Sequence, residues 1–257
     1  MRDRIDRTSD RPAYRQIADH LREAIINAEL APGEQLPSER DLIERYAAAR
    51  GTVRQSLALL RSEGLVLVEH GRGAFVRPRP PIRRLAHDRF ARRHRKGGKA
   101  AFLAEADAGG YVPEVEVQEV AVTSAPLDIV ERLAIRPDDE VLVRRRRYLA
   151  DGQPVELATS WLPRKLTIDT PIEHHNPGPG GIYARLEELD HRLMRFTEEV
   201  TARMPLPDEV RALRLTAGVP VFRLVRTAYD TDDRPVEICD TVMAADRFIL
   251  SYELPAS

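Results

Sequence analysis

The sequence predicts an α+β protein in two parts. The first is an N-terminal unit of three helices ending in a β-hairpin, and the second is built on an antiparallel sheet with flanking helices. Three observations support this. Helical periodicity runs through the first quarter of the chain as far as a glycine-rich hairpin. A basic, proline-rich run follows at residues 77–81. Beyond it, two segments repeat one layout of short helix, strand, tight turn and strand.

The N-terminal unit carries the signals that begin and end helices. Ser38 stands directly before the second helix with Asp41 three residues on, a capping box in which Asp replaces the usual Glu. Gly64 ends the third helix as a left-handed cap would. The apolar stripes of the first and third helices are expected to consist of Tyr14, Ile17, Leu21, Ile25, Ala28, Val53, Leu57 and Leu60.

The polar side of the third helix suits a DNA groove. Arg50 and Arg54 lie one turn apart, away from the apolar stripe, with Thr52 beside them. Arginine can bind a guanine edge with two hydrogen bonds, and threonine and backbone N–H groups hold phosphate. The basic hairpin tip at residues 70–73 could approach the adjacent backbone or minor groove. The alternative is a small helical domain with solvated arginines, because a helix–turn–helix pattern alone is a weak signal.

Three blocks in this region resemble the winged helix–turn–helix of GntR-family bacterial transcription regulators. They are Pro37-Ser38-Glu39-Arg40, Arg50-Gly51-Thr52-Val53-Arg54 and the segment from Glu63 to Val76. The resemblance implies that operator DNA is contacted by the arginines, the threonine and the wing glycine of these blocks, with a histidine at the wing tip. The expected DNA-binding set is Ser38, Arg40, Arg50, Gly51, Thr52, Arg54, His70, Gly71 and Arg72. Ala48-Ala49 departs from the family's valine and serine or threonine, which would remove one phosphate contact.

Charge distribution, cysteine content and the lack of long apolar segments limit the kinds of protein this chain can be. The net charge of the 257 residues is −1, yet residues 1–100 hold 22 Lys and Arg against 13 Asp and Glu. A basic front and an acidic rear fit a nucleic-acid-binding unit joined to one that does not bind nucleic acid. The single cysteine, Cys239, excludes an intrachain disulfide and fits a reducing cytoplasm. Nothing in the sequence is long and apolar enough to predict a membrane span.

The expected domains are residues 1–76, with 1–11 a mobile tail, a linker at 77–84, and residues 85–257. Prolines should make the linker stiff and extended. The strongly basic run from Ile82 to Gly98 is open to two interpretations, further phosphate contact or a solvated first helix of the second domain. The solvated helix is favoured.

The C-terminal half contains an internal repeat. Pro126–Glu156 and Pro205–Glu237 share the layout of helix, strand, hairpin and returning strand. A shift of 80 residues places Arg146 on Arg226, and a shift of 81 beyond the longer second hairpin places Glu156 on Glu237. This predicts one antiparallel sheet with pseudo-twofold symmetry and helices on one side. A helix at 182–189 and a strand at 192–203 are expected between the two copies.

This half resembles the UTRA ligand-binding domain of the HutC branch of GntR regulators, whose fold is like that of chorismate lyase. The resemblance covers roughly residues 85–254. The residues that carry it are Val141, Arg146, Asp151-Gly152-Gln153-Pro154, Ser160-Trp161-Leu162-Pro163, Ile182-Tyr183, Leu186, Arg226, Tyr229, Pro235-Val236-Glu237 and Asp246-Arg247-Phe248. It implies that a small molecule binds in a cleft over the sheet and alters DNA binding.

Residues from several parts of this half are expected to hold the effector. Alternation along a strand puts Arg144, Arg146 and Tyr148 on one face, where either a pair of arginines meets an anionic ligand or all face solvent beside acidic neighbours. The expected effector-binding set is Arg144, Arg146, Tyr183, Arg226 and Glu237. Family members that sense sugar phosphates carry a serine and a tyrosine where this chain has Gly181 and Met243, which implies a less polar pocket.

Two functions from different classes are consistent with these features. The favoured one is a ligand-responsive regulator, a repressor, that binds a palindromic DNA operator as a homodimer with no cofactor, metal or membrane. The alternative is a chorismate-lyase-like enzyme fused to a DNA-binding module, against which stands the lack of an assignable acid–base pair, so no catalytic residue is named. His174-His175 has no cysteine or carboxylate pair at metal-ligand spacing.

Overall fold

The computed structural model describes residues 5–69, 71–78, 80 and 82–254, without the side chains of residues 87 and 88. The chain divides into two compact units. One comprises residues 1–79 with 216–219, and the other residues 80–215 with 220–257. Among the described residues no helix combines the length and apolar character needed to cross a bilayer.

The N-terminal unit is three helices and a two-stranded antiparallel hairpin, as the sequence predicts. Val53, Leu57 and Leu60 are buried with Ile17 and Leu21, so most of the predicted stripes form the core. Ala28 was wrongly placed on the first stripe, because α1 ends at Ile26 and Ala28 is exposed. The elements in chain order are α1 Ala13–Ile26, α2 Glu39–Tyr46, α3 Arg50–Ser62, β1 Val66–Glu69 and β2 Gly73–Val76.

Two caps fix the helix ends in this unit. Ser38 and Asp41 form the predicted capping box at the start of α2, and Gly64 follows α3 with a φ of +75°. The turn between α2 and α3 depends on Ala47, which caps α2 in the left-handed region at a φ of +45°. An L-residue with a Cβ is disfavoured there, so the tight turn carries some backbone strain.

The segment expected to be a mobile tail, residues 1–11, makes contacts with the rest of the unit where the structure describes it. Ile5 packs against the helical core, and the backbone N–H of Asp6 donates to Gln16 Oε1 at 2.8 Å. Arg11 pairs with Asp19 at 2.5 Å. Residues 1–4 lie outside the described residues. Side chains of α1 therefore hold the remainder of this segment, which sequence pattern alone could not show.

The C-terminal unit is built on a six-stranded antiparallel sheet in the order β4-β5-β6-β9-β8-β7. Two 3₁₀ helices, Arg164–Leu166 and Pro171–Glu173, lie after β6. The other elements in chain order are β3 Ile82–Leu85, α4 Ala86–Arg89, α5 Arg92–Lys96, α6 Ala101–Gly109, β4 Pro113–Ser124, α7 Leu127–Leu133, β5 Glu140–Ala150, β6 Gln153–Pro163, α8 Gly181–Glu188, β7 Leu193–Arg203, α9 Pro207–Leu213, β8 Val221–Asp230, β9 Pro235–Ala244 and β10 Phe248–Ser251.

The internal repeat is confirmed at the level of strand register. Arg146 pairs with Ala158 across the first hairpin, and Arg226 pairs with Cys239 across the second. These pairs are related by the same shifts of 80 and 81 residues that the sequence shows. The central strands β6 and β9 pair with each other, so the two copies meet about a pseudo-twofold axis between them.

Helices cover both faces of the sheet, so the expectation of helices on one side is wrong. Ile129 and Leu133 of α7 pack on Val141 and Val143, whereas Leu186 of α8 packs on the face that carries Leu142. This prediction relied on the internal repeat, which contains only the helices of one face, α7 and α9. The face carrying Leu142 also carries Arg144 and Arg146, and it is called the cavity face below.

The basic run from Ile82 to Gly98 is not a solvated helix. Residues 82–85, most of which were expected in the linker, form β3 and pair in parallel with β10. Arg84 and Arg89 are buried, at 2% and 6% exposure. Their carboxylate partners, such as Glu105 beside Arg89, come from other elements of the unit. Ion pairs between distant segments therefore remove these charges from solvent, and local sequence could not reveal them.

Candidate DNA interface and ligand cavity

Three arginines of the expected DNA-binding set are exposed on α2 and α3. The side chains of Arg40, Arg50 and Arg54 are 84%, 74% and 67% exposed, while Val53 on the opposite side of α3 is fully buried. Gly51 is exposed and Thr52 half-buried at the start of α3. The sequence-predicted arginines thus share one solvent-facing surface of the N-terminal unit. This surface could accept a DNA duplex without moving the core.

Ser38 and Arg72 of the expected DNA-binding set contact side chains close to them in the chain. The Ser38 hydroxyl donates to Asp41 Oδ2 at 2.7 Å and accepts from the Asp41 N–H, so its main task is capping α2. Arg72 pairs with Glu69 and lies over the ring of Phe75 at 5.5 Å. Gly71 has a φ of +74°, which suits a glycine at the wing turn. His70 lies outside the described residues.

The C-terminal unit contains a cavity of about 570 Å³ on the cavity face. Its walls are the sheet, the segment from Arg89 to Leu103 and the loop leading into α8. All five residues of the expected effector-binding set line it: Arg144, Arg146, Tyr183, Arg226 and Glu237. Side chains that the sequence spreads over almost 100 positions therefore meet at one site.

Arg144 is committed to holding a loop. Its Nη1 donates to the carbonyl oxygens of Ile172 and His174 at 2.5 and 2.6 Å, and its Nη2 donates to the carbonyl of His175 at 2.9 Å. Burial, and to a smaller extent the Arg146 guanidinium, lowers the pKa of Arg144 to about 10, so it stays charged at neutral pH. Arg144 thus fixes one wall of the cavity, and its expected effector contact would be secondary.

Arg146, unlike Arg144, does not anchor a loop. Its Nη2 donates to Ser160 Oγ and lies 4.0 Å from Cys239 Sγ, and its Nε is buried without a hydrogen-bond acceptor. Among the residues whose side chains are described, no carboxylate lies within 4.0 Å of this guanidinium. Burial opposes the charge of Arg146, but Tyr148, Cys239 and Glu237 outweigh it and raise its pKa, so the half-buried side chain stays charged without an ion-pair partner of its own among the described side chains. Arg146 therefore offers charge and donor capacity to whatever enters the cavity.

A hydrogen-bonded chain crosses the cavity from α8 to the sheet. The Tyr183 hydroxyl donates to Glu237 Oε2 at 2.5 Å and accepts from Arg226 Nε at 3.0 Å. Arg226 also lies over the ring of Phe90 at 4.5 Å and pairs with Glu198 at 3.7 Å. Burial raises the pKa of Tyr183 well above its ordinary value, which outweighs the opposing effect of Arg226. Tyr183 thus stays a hydrogen-bond donor at physiological pH.

Cations outnumber carboxylates on the cavity walls. The acidic lining residues are Glu156 and Glu237, and the basic ones are Arg89, Arg95, Lys99, Arg144, Arg146 and Arg226. Carboxylates outside the lining compensate four of these cations, which pair with Glu105, Glu187, Asp107 and Glu198. The lining carboxylate Glu156 in turn pairs with Arg84, which lies outside the lining. The remaining imbalance is concentrated around Arg146, so the cavity suits an anionic ligand.

Sequence reasoning missed some lining residues. Arg89, Arg95 and Lys99 lie in or beside the basic run that was expected to be solvated, and no signal in the sequence gave their partners. Cys239 could have been found, because the repeat places it on Ala158, a neighbour of Arg146 across the first hairpin. Gly181, the family's serine position, has a φ of +68°, and a Cβ there would meet Ala100 at 3.3 Å.

Comparison with known proteins decides the family. Residues 13–76 match the gntR family of bacterial regulatory proteins, and residues 108–249 match the UTRA domain. An uncharacterised HTH-type transcriptional regulator from Streptomyces coelicolor is 33% identical over 248 residues, which is 94% of this chain and 92% of that protein. The chain belongs to the GntR family. The HTH-type transcriptional repressor NagR of Bacillus subtilis, another relative, is 26% identical over 95% of each chain.

Solved structures agree with the GntR assignment. The crystal structure of a GntR-family transcriptional regulator has a TM-score of 0.67 and 32% identity, covering 96% of this chain and 99% of that one. PhnF from Mycobacterium smegmatis, at 24% identity and a TM-score of 0.57, shares the fold over 94% of this chain and all of its own. GntR regulators bind DNA and UTRA domains bind small-molecule effectors. This chain is therefore a DNA-binding transcription regulator, and the alternative of an enzyme is discarded.

Proposed function

We propose that this GntR protein is a cytoplasmic repressor of the HutC branch. It binds a palindromic operator as a homodimer, and an anionic small molecule in the UTRA cavity changes its operator affinity. The observation that carries the effector assignment is Arg146, a cavity-lining guanidinium without a carboxylate partner among the described side chains. Relatives named as repressors, including NagR and the mannosyl-D-glycerate system repressor of Escherichia coli, support the direction of regulation.

The DNA contacts proposed for the N-terminal unit divide by chemistry. Arg50 and Arg54, one turn apart and largely exposed, would reach guanine edges in the major groove. Arg40 and Thr52 would bind phosphate, helped by the first N–H groups of α3, because Ala49 offers them no side-chain oxygen. Gly71 would let the wing backbone approach the duplex, with His70 and Arg72 at its tip.

Dimerisation follows from the geometry of the operator. A two-fold DNA site needs two recognition helices spaced by whole turns of the duplex, which two copies of this chain would supply. The effector and the operator would then be thermodynamically coupled, so that each changes the affinity of the other by the same factor.

The effector would be held by its negative charge. Arg146 would bind the anionic group, and the Tyr183–Glu237–Arg226 chain would hydrogen-bond to the rest of the molecule. Gly181 lines the cavity without the hydroxyl that a serine would supply, whereas Met243 is buried in the core beside Arg84 and does not line the cavity. The preferred effector is therefore an anion with a partly apolar body.

Selection of DNA from a random duplex library tests the DNA-binding half of the proposal. Purified protein should enrich a palindrome, and light scattering of the complex should give two chains per site. Arg54→Ala should weaken binding to the enriched site by about tenfold or more while changing binding to random DNA much less. Equal weakening on both DNAs would make Arg54 a phosphate contact. Enrichment of a site without symmetry would contradict the dimer.

A further inference from the structure

A single carboxylate lies between the two arginines of α3 that we assign to base contact. Glu39 is the first residue of α2, and its side chain is 38% exposed. Its Oε2 accepts a hydrogen bond from Arg50 Nε at 3.2 Å, and its Oε1 lies 3.9 Å from Arg54 Nε. One acidic side chain thus contacts two guanidinium groups that are four residues apart on the neighbouring helix.

Glu39 contacts the same nitrogen atom in both arginine side chains. Both arginines meet Glu39 through Nε, the nitrogen nearest the chain. Their terminal Nη groups have no hydrogen-bond acceptor among the residues whose side chains the structure describes. Two bonds to guanine O6 and N7 can be made by the Nη pair alone. Glu39 therefore leaves the base-reading end of each guanidinium available while it restrains the near end.

We propose that Glu39 is a specificity-determining positioning residue, which holds Arg50 and Arg54 with their Nη groups directed at base edges. The proposal rests on the proposed base contacts of those two arginines. A flexible arginine on a basic surface can bind the nearest phosphate as readily as a base, and phosphate contacts carry no sequence information. Restraint by Glu39 favours the base-reading arrangement.

The expected changes in stability and in DNA affinity distinguish this role from that of an ordinary surface ion pair. Exposed pairs of this kind contribute little to folding, so loss of Glu39 should leave the unfolding midpoint almost unchanged. A negative charge on a DNA-binding face also repels the duplex and lowers affinity for every sequence. Removing Glu39 should therefore strengthen binding to random DNA while it weakens binding to the operator. A carboxylate that acted through charge alone would shift both affinities in the same direction.

The test measures the ratio of affinities for the library-selected operator and for random DNA of equal length. For Glu39→Gln the ratio should fall about tenfold, the scale of one lost arginine–guanine contact, and the loss should map to guanine positions of the half-site. Random DNA should bind about twofold tighter. Glu44→Gln is the matched control because it removes the same charge from the same helix, and its ratio should stay within about twofold.

Two results would overturn the proposal. Operator and random DNA could tighten equally in Glu39→Gln, which would leave repulsion as the only role of Glu39. Glu44→Gln could lower the ratio as much as Glu39→Gln does. Arg54→Ala, measured in parallel, shows whether the positioning role of Glu39 or the base contacts of the arginines have failed. If that variant lowers the ratio and Glu39→Gln does not, only the positioning role fails. If neither does, the assigned base contacts fail with it.

Discussion

The Tyr183 hydroxyl donates a 2.5 Å hydrogen bond to Glu237 and so joins helix α8 to strand β9 across the cavity. Both residues are buried, at 8% and 1% exposure. The same hydroxyl accepts from Arg226, so one tyrosine bridges a buried carboxylate and a buried guanidinium. An effector that binds this chain would meet a prearranged set of donors and acceptors.

Loss of the Tyr183 hydroxyl should destabilise the protein. In Tyr183→Phe, Glu237 and Arg226 each lose a buried hydrogen-bond partner, which should lower the free energy of unfolding by about 1–3 kcal/mol. Denaturant titration followed by circular dichroism measures this. Tyr14→Phe is the control, because Tyr14 lies near the surface of α1 and its change should stay within about 0.5 kcal/mol. Equal stability of Tyr183→Phe and the parent chain would contradict the bridging role.

Alkaline pH should remove part of the Tyr183 contribution. Burial raises the pKa of Tyr183 well above its ordinary value, so the folded state keeps the phenol proton where the unfolded chain loses it. Above about pH 10 the folded state therefore binds more protons, and stability falls as pH rises. The stability advantage of the parent chain over Tyr183→Phe should shrink between about pH 9 and 11. An advantage independent of pH over that window would contradict the raised pKa.

Substitution of Arg144 should lower the free energy of unfolding far more than substitution of its neighbour Arg145. Arg144→Met leaves three carbonyl oxygens of residues 172–175 without their donor and should cost about 2 kcal/mol or more. Arg145→Met removes a half-exposed pair with Glu119 on the opposite face and should cost under about 0.5 kcal/mol. Amide exchange should quicken over residues 172–182 in the first variant alone. Similar behaviour of the two variants would contradict the assigned loop anchor.

The turn between α2 and α3 gives a test in the N-terminal unit. Ala47 has a φ of +45°, where a glycine is free of the Cβ conflict, so Ala47→Gly should raise the free energy of unfolding by about 1 kcal/mol. Ala48→Gly, at the next position and without a positive φ, should be neutral or destabilising. Thermal unfolding of both variants decides the matter. Destabilisation by Ala47→Gly would show that the left-handed turn is not the native arrangement.

Local pattern and internal repetition were enough to predict a large part of the fold. The helix–turn–helix, the hairpin, the capping box at Ser38 and the two repeated hairpins with Arg146 and Arg226 at equivalent positions all appear in the structure. Strand alternation correctly placed Arg144 and Arg146 on one face. Apolar periodicity and turn residues suffice for these features because each depends on neighbours within a few positions.

The rest depends on partners that lie far away in the chain. The commitment of Arg144 to three carbonyl groups requires the loop at 172–175 to fold back onto β5. Arg89 is buried because Glu105 neutralises it, and β3 exists because β10 lies alongside it. Helical coverage of the cavity face likewise comes from segments outside the repeat. None of these long-range pairings leaves a periodic trace in the sequence.

The central claim is that an anion bound at Arg146 changes operator affinity. The most direct measurement is thermal stabilisation of the parent chain and of Arg146→Ala by a panel of anionic metabolites with neutral analogues, each hit being repeated in an operator-binding titration. Ligands that bind only the folded state raise its unfolding midpoint. We predict an anion that stabilises the parent chain but not Arg146→Ala and that shifts operator affinity only in the parent. An anion that stabilises both chains equally, or that leaves operator affinity unchanged, would contradict the account.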